Sequence, residues 1–148
     1  MELNTTSNMD LLAILQNENI LINGVYPKDR LKKPLKCGFY IINLNDSDEP
    51  GSHWTVLYCI NDAYSMYFDA FGFKAPECIE DLLHRYDYNK KQIQSIRSTS
   101  CDFYFYCIAF IKFMHMKKNY KKAFKTFCKL FNGDTCMNEL VLNNILYG

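Results

Sequence analysis

The chain has 148 residues, 49% of them hydrophobic, and a formal charge of +1. That length and apolar content suit one globular domain with a real core, and the near-neutral charge excludes bulk electrostatic attraction to nucleic acid. Seven cysteines cannot all pair within one chain, no Cys-x-x-Cys occurs, and Glu2 stands where a secretory leader would carry basic residues, so the expected setting is a reducing compartment.

In chain order, Asn8 or Asp10 can cap a helix through Leu11, Leu12 and Leu15 that ends near Asn17 to Asn19. Gly24, Pro27, Lys28 and Asp29 mark a turn-rich connection. Gly38 to Leu44 is aromatic and β-branched and reads as a strand, and Asn45 to Gly51 is a dense loop. His53 opens an alternating run to Ile60 that reads as a half-buried strand. Asn61-Asp62 signals a tight turn, and Tyr64 to Asp69 returns antiparallel. In such a hairpin the start of one strand faces the end of the other, so His53 and Asp69 are expected within hydrogen-bond reach. Pro76 starts a helix through Ile79, Leu82 and Leu83, closed by Asn89 to Lys91, and Gln92 to Ile96 reads as a strand.

Next comes the abrupt junction at Cys101, where a polar stretch with Ser98, Thr99 and Ser100 meets an apolar run. Phe103, Cys107, Phe110, Ile111 and Met114 recur at helical spacing, so the three hydroxyl residues are candidate caps and Cys101 is expected at a helix start. The unpaired N–H groups and positive dipole end there favour a thiolate, which would make Cys101 a nucleophile. By contrast Cys107, facing the core, reads as a small buried hydrophobe. A basic aromatic helix follows over about Tyr120 to Phe131, with Asn132-Gly133 as its C-cap, and a last helix spans about Asp134 to Leu146. The expected architecture is α+β, one domain over residues 1–148, with helices packed on a mixed, mostly antiparallel sheet.

Several features read as structural. No apolar run reaches the ~20 residues of a membrane helix, because Lys112, Lys117 and Lys118 interrupt the longest, so the chain is expected to be soluble with no membrane partner. His84 on a helix and His115 near a helix end read as structural. The cysteine and histidine spacings match no compact zinc site. The lysines from Lys112 to Lys129 read first as a solvated helix face.

Three features together carry a family resemblance: the segment Gly51-Ser52-His53-Trp54, the segment Tyr67-Phe68-Asp69-Ala70-Phe71-Gly72, and Gln94 seven residues before Cys101. In this order they resemble the adenovirus-type cysteine proteases, particularly those encoded by virophages and polinton-like elements, over residues 20–115. The resemblance implies a papain-like α+β fold shared with the proteases of ubiquitin-like modifiers, with the nucleophile at a helix N-terminus. It implies His53 as general base, Asp69 as its orienting carboxylate, Cys101 as nucleophile, Gln94 as oxyanion-hole donor, and Trp54 packed beside the pair. It further implies a monomeric endopeptidase that cleaves virion structural precursors without a required cofactor. That enzyme would work in the cytoplasm or nucleus at the site of virion assembly, be packaged in the virion and not be secreted. Relatives are activated by a viral peptide and by nucleic acid, so the resemblance makes both candidate partners, and the late lysines point to weak binding of the nucleic acid.

The chain departs from the family pattern directly after Cys101, where Asp102 replaces the usual glycine and Tyr106, Cys107 and Phe110 fall two places late. Either two residues are inserted after the nucleophile, which keeps the Gln94 to Cys101 spacing, or the pattern slides and Phe103 takes the nucleophile position. A carboxylate beside the thiol disfavours the thiolate, and the lost glycine narrows the substrate's approach, which predicts impaired activity. Three classes of function stay open on the sequence: an endopeptidase, a ubiquitin-like-modifier protease or acyltransferase on the same scaffold, and a catalytically impaired binding homologue.

Overall fold

The structure, a computed structural model, describes residues 8–44, 53–94 and 104–148. Along them run helix α1 (Asn8–Asn17), strands β1 (Gly24–Pro27), β2 (Gly38–Asn43), β3 (Trp54–Asn61) and β4 (Tyr64–Phe68), the short helix α2 (Glu77–Glu80), strand β5 (Arg85–Tyr88), and helices α3 (Phe105–Met114), α4 (Tyr120–Leu130) and α5 (Thr135–Tyr147). The class is α+β, with a five-stranded sheet in the order β1-β2-β3-β4-β5.

The three central strands are made by aromatic and β-branched residues, as their composition predicts. Asn61 Oδ1 accepts the Ala63 N–H at 2.8 Å, which closes the β3–β4 hairpin with an Asx turn. Sequence reasoning expected a mostly antiparallel sheet. The sheet is mixed as expected, with the longer central ladders β2–β3 and β3–β4 antiparallel and the shorter outer pairs β1–β2 and β4–β5 parallel. Both outer strands were missed. Gly24–Pro27 reads as a turn because of its glycine and proline. Arg85–Tyr88 was absorbed into a helix because Ile79, Leu82 and Leu83 have helical spacing, but that helix stops at Glu80. An alternation of exposed charged residues and half-buried tyrosines suits an edge strand, where charges discourage pairing with another chain. His84 therefore precedes an edge strand and does not sit on a helix. Gln92 to Gln94 form no strand, and the rest of that predicted strand lies outside the described residues.

One face of the sheet buries Phe39, Ile41, Val56, Met66 and Phe68 under the helices, and the other buries Tyr40, Ile42, Leu57 and Tyr67. At the centre of the first layer is α3, packed against α1, α4, α5 and β3. Every residue from Phe105 to Ile111 is buried. Phe110 stacks on Phe68 with ring centroids 5.0 Å apart and meets Phe124 and Phe127 edge-on. A fully buried phenylalanine contributes about 1.5–3 kcal/mol, so this cluster fixes α3 firmly to the strand that delivers Asp69. The N-cap of α3 is Tyr104, with no side-chain capping bond, rather than one of Ser98 to Ser100. Similarly α4 is capped at its C-terminus by Phe131 and not by Asn132-Gly133. At the start of α5, Asp134 accepts the Met137 N–H at 2.9 Å, an ordinary acidic N-cap. No described helix is long and apolar enough to cross a membrane.

Candidate active site

Val56 lies opposite Phe68 in the β3–β4 ladder. One further step along that register sets Asp69 against Thr55, with His53 two residues beyond on the same face, a diagonal that side chains can span. The structure closes it: His53 Nε2 lies 2.6 Å from Asp69 Oδ1. The pair is shielded from solvent, His53 being 8% and Asp69 0% exposed, so water screens their interaction weakly. A carboxylate can only accept, so in the neutral imidazole that serves as a base Nε2 carries the proton and Nδ1 bears the lone pair. Nδ1 is buried and has no hydrogen-bond partner among the described residues. A buried imidazole nitrogen left unpaired costs stability unless something is meant to face it.

Two features hold the imidazole and carboxylate in place. The Phe71 ring stacks flat on His53, with centroids 3.7 Å apart and the planes 4° from parallel. Phe71 also donates its N–H to Asp69 Oδ1 at 2.8 Å, so one carboxylate oxygen serves both histidine and backbone. Gly72 turns the chain tightly enough for this, donating its N–H to the Asp69 carbonyl at 2.8 Å. Its φ is +84°, and an added Cβ would lie 2.9 Å from the Lys91 carbonyl, so only glycine fits here.

Gln94 is 3% exposed. Its N–H and that of Ile93 both donate to the Ala70 carbonyl, at 3.0 and 2.8 Å, which ties this segment to the residue after Asp69. From below, Asn138 of α5 donates to the Ile93 carbonyl at 3.0 Å. On the other side of the site Trp54, the neighbour of His53, meets the Tyr104 ring edge-on at 4.6 Å. Sequence reasoning expected Trp54 to pack beside the catalytic pair; the ring that covers His53 is that of Phe71.

Cys101 and Asp102, and with them the choice between insertion and sliding at Phe103, lie outside the described residues. What the structure does supply is the described residues on either side: Gln94 is bonded to Ala70, next to Asp69, and Tyr104 meets Trp54, the sequence neighbour of His53. Cys107 is a different kind of cysteine. Burial, and then the Asp69 charge, push its thiol well above the usual range. The same two causes, in the same order, push up the Tyr67 phenol. Cys107 should therefore resist iodoacetamide at pH 8.5 in the folded chain and react only after denaturation, as peptide mass mapping would show; labelling as fast as that of the exposed Cys78 would contradict this.

The residues that sequence reasoning missed are Phe71, Asn89, Tyr104 and Asn138. Phe71 was inside a recognised motif, whereas Asn89 looked like a helix stop. Among the described residues no group of three or more histidine, cysteine or acidic side chains is placed to hold a metal ion.

No protein-family model matches the chain, and no curated protein matches its sequence. Among solved structures, the crystal structure of the Se-Met ASFV pS273R protease is similar at a TM-score of 0.41 and 14% identity, over 76% of this chain and 44% of that one. The chain thus spans less than half the length of that protein, and the likeness is too distant to transfer an activity.

Proposed function

We propose that the chain is a cysteine endopeptidase of the adenovirus-protease type that cleaves virion structural precursors. The observation that supports this most is the buried His53–Asp69 pair, whose Nδ1 has no partner among the described residues. In the proposed reaction the Cys101 thiol gives its proton to His53 Nδ1, and the thiolate attacks the carbonyl carbon of the scissile peptide bond. Asp69 stabilises the imidazolium so formed. The C–N bond breaks as the imidazolium returns the proton to the leaving amine, leaving a thioester. Water, losing a proton to His53, attacks the thioester carbonyl; the C–S bond breaks, the acyl product leaves as a carboxylic acid, and the imidazolium returns the proton to the sulfur to restore the thiol. Gln94, with a backbone N–H at Cys101, would hold the oxyanion; one such donor is typically worth about 3 kcal/mol. No metal or organic cofactor enters this chemistry. The enzyme would act as a monomer at the site of virion assembly and be packaged with its substrates.

A nucleic-acid partner would bind through lysine–phosphate contacts. Lys90 and Lys91 face Lys121, Lys125 and Lys129 across a groove of about 620 Å³ between the β4–β5 edge and α4. Two to four lysine–phosphate contacts there would give weak binding with a log–log salt slope of roughly −2 to −4. An activating peptide would add to this.

Purified chain incubated with peptides from virion precursors, with and without DNA and across a salt titration, tests both points. Defined cleavage sites that iodoacetamide abolishes and EDTA leaves intact are expected, with stimulation by DNA that fades as salt rises. Transfer of an acyl group to a lysine, or release only of a ubiquitin-like tail, would move the assignment to another activity of the scaffold. Binding without any turnover would overturn it.

A further inference from the structure

β5 runs parallel to β4, with Tyr88 paired to Tyr67. Past that point the ladder ends, and a side chain continues its hydrogen bonding. Asn89 Oδ1 accepts the Asp69 N–H at 3.1 Å, and Asn89 Nδ2 donates to the Asp69 carbonyl at 2.6 Å. Both backbone groups of the residue that carries the carboxylate are thus gripped by one carboxamide acting as a surrogate peptide. The same Nδ2 reaches the Lys91 carbonyl at 3.3 Å, at the head of the segment that leads to Gln94. Asn89 is 4% exposed, so water does not replace these bonds readily.

We propose that Asn89 is a positioning residue for the proposed peptidase: it sets the Asp69 carboxylate against His53 Nε2 and fixes the Gln94 segment against the same turn. The proposal rests on the peptidase reading for its effect on turnover, and on geometry alone for its effect on His53. It follows from how Asp69 is held: the Gly72 N–H also reaches the Asp69 carbonyl, but Asn89 is the side chain that bonds both its N–H and its carbonyl. The carboxylate contacts, from His53 and the Phe71 N–H, are the ones to be aimed, and its Oδ2 has no partner among the described residues. What aims them is the backbone at Asp69, and Asn89 holds that backbone on both sides. A displacement of about 1 Å at a reacting group can cost on the order of 10²-fold in rate.

The test compares wild type with Asn89→Asp and Asn89→Ala. The aspartate keeps the volume and the acceptor but replaces the donor with an oxygen facing the Asp69 carbonyl; the alanine removes both bonds without adding charge. Two readouts apply to each. The first is the proton NMR signal of the His53 Nε2–H, expected far downfield and slowly exchanging in wild type, and lost to exchange in both variants. The second is steady-state cleavage, expected to show kcat lowered roughly 10- to 100-fold with KM unchanged.

A space-filling role predicts instead that Asn89→Asp behaves as wild type, or that both variants lower Tm while the His53 signal and kcat stay unchanged. Either result overturns the proposal, as does failure of both variants to fold, which would make Asn89 simply structural. Absence of cleavage by wild type would sink the peptidase reading alone, because the His53 signal is read without substrate and still decides the role of Asn89.

Discussion

Replacing Cys101 with alanine should lower peptide cleavage by about 10⁴-fold or more, with Tm within a few degrees of wild type. Losing the nucleophile of a covalent mechanism removes the chemical step itself, leaving only what binding and the oxyanion donors provide. Cys37, Cys59, Cys78, Cys107 and Cys128 are not placed to substitute. Burial pushes up the thiols of Cys59 and Cys107. Burial also pushes Cys128 up, to about 11, against a smaller lowering by Lys91. Cys37 adjoins Gly38, which pairs with Cys59 at the far end of β3, about 20 Å of strand from His53. Cys78, in α2, donates to the Lys28 carbonyl at 3.7 Å. Steady-state assay of Cys101→Ala beside Cys107→Ala separates the roles: the second should melt lower but keep turning over. A Cys101→Ala chain cleaving at the wild-type rate would refute the assignment.

Asp69→Asn should lower kcat by roughly 10³- to 10⁴-fold with little change in KM or fold, by analogy with the loss when an orienting carboxylate of this kind is neutralised. The amide has the shape of the carboxylate, so its oxygen can keep the bonds from His53 and the Phe71 N–H now made by Oδ1. What it cannot keep is the charge. An imidazolium forming in a buried site then has no counter-charge, and proton transfer from the thiol is disfavoured. Should the amide instead turn its nitrogen to His53 Nε2, the imidazole must carry its proton on Nδ1, where the base is needed. Either way activity should partly recover as pH rises through the ordinary thiol range near ~8.5, because hydroxide then generates the thiolate without help from His53. A wild-type profile that rises over the same range as steeply as the variant's would contradict the role given to Asp69. Asp69→Ala should additionally lose stability, since it also leaves the Phe71 N–H unbonded.

The hairpin that brings His53 to Asp69 was legible because it rests on local rules. β-branched and aromatic residues alternate on both strands, Asn61-Asp62 supplies the turn, and strand parity then fixes which residues meet. The parallel edges were not legible. Gly24–Pro27 and Arg85–Tyr88 become strands because β2 and β4 offer them free edges, and four residues are too few for the alternation in Arg85–Tyr88 to outweigh the helical spacing before it. Asn89 was hidden because its carboxamide replaces a missing step of backbone ladder with a residue 20 positions away. The Phe71 stack on His53 depends on the left-handed turn at Gly72, and a motif can mark such a turn without saying which ring it brings over. Helix α3 was legible as a helix. Its burial on every side blurred its start, since no polar face marks the entry.

The most direct test is the rate at which iodoacetamide alkylates each cysteine at pH 6 to 7, followed by peptide mass mapping in wild type and His53→Ala. An ordinary thiol is only a few per cent thiolate at pH 7, so a histidine-paired thiolate should react about tenfold faster even after allowing for its lower intrinsic nucleophilicity, with a larger margin at pH 6. The peptidase reading predicts that Cys101 outpaces the exposed Cys37, Cys78 and Cys136 by that margin, and that His53→Ala brings it down to their rate. Cys101 labelling no faster than these three, and unchanged by His53→Ala, would contradict the pairing of Cys101 with the His53–Asp69 dyad.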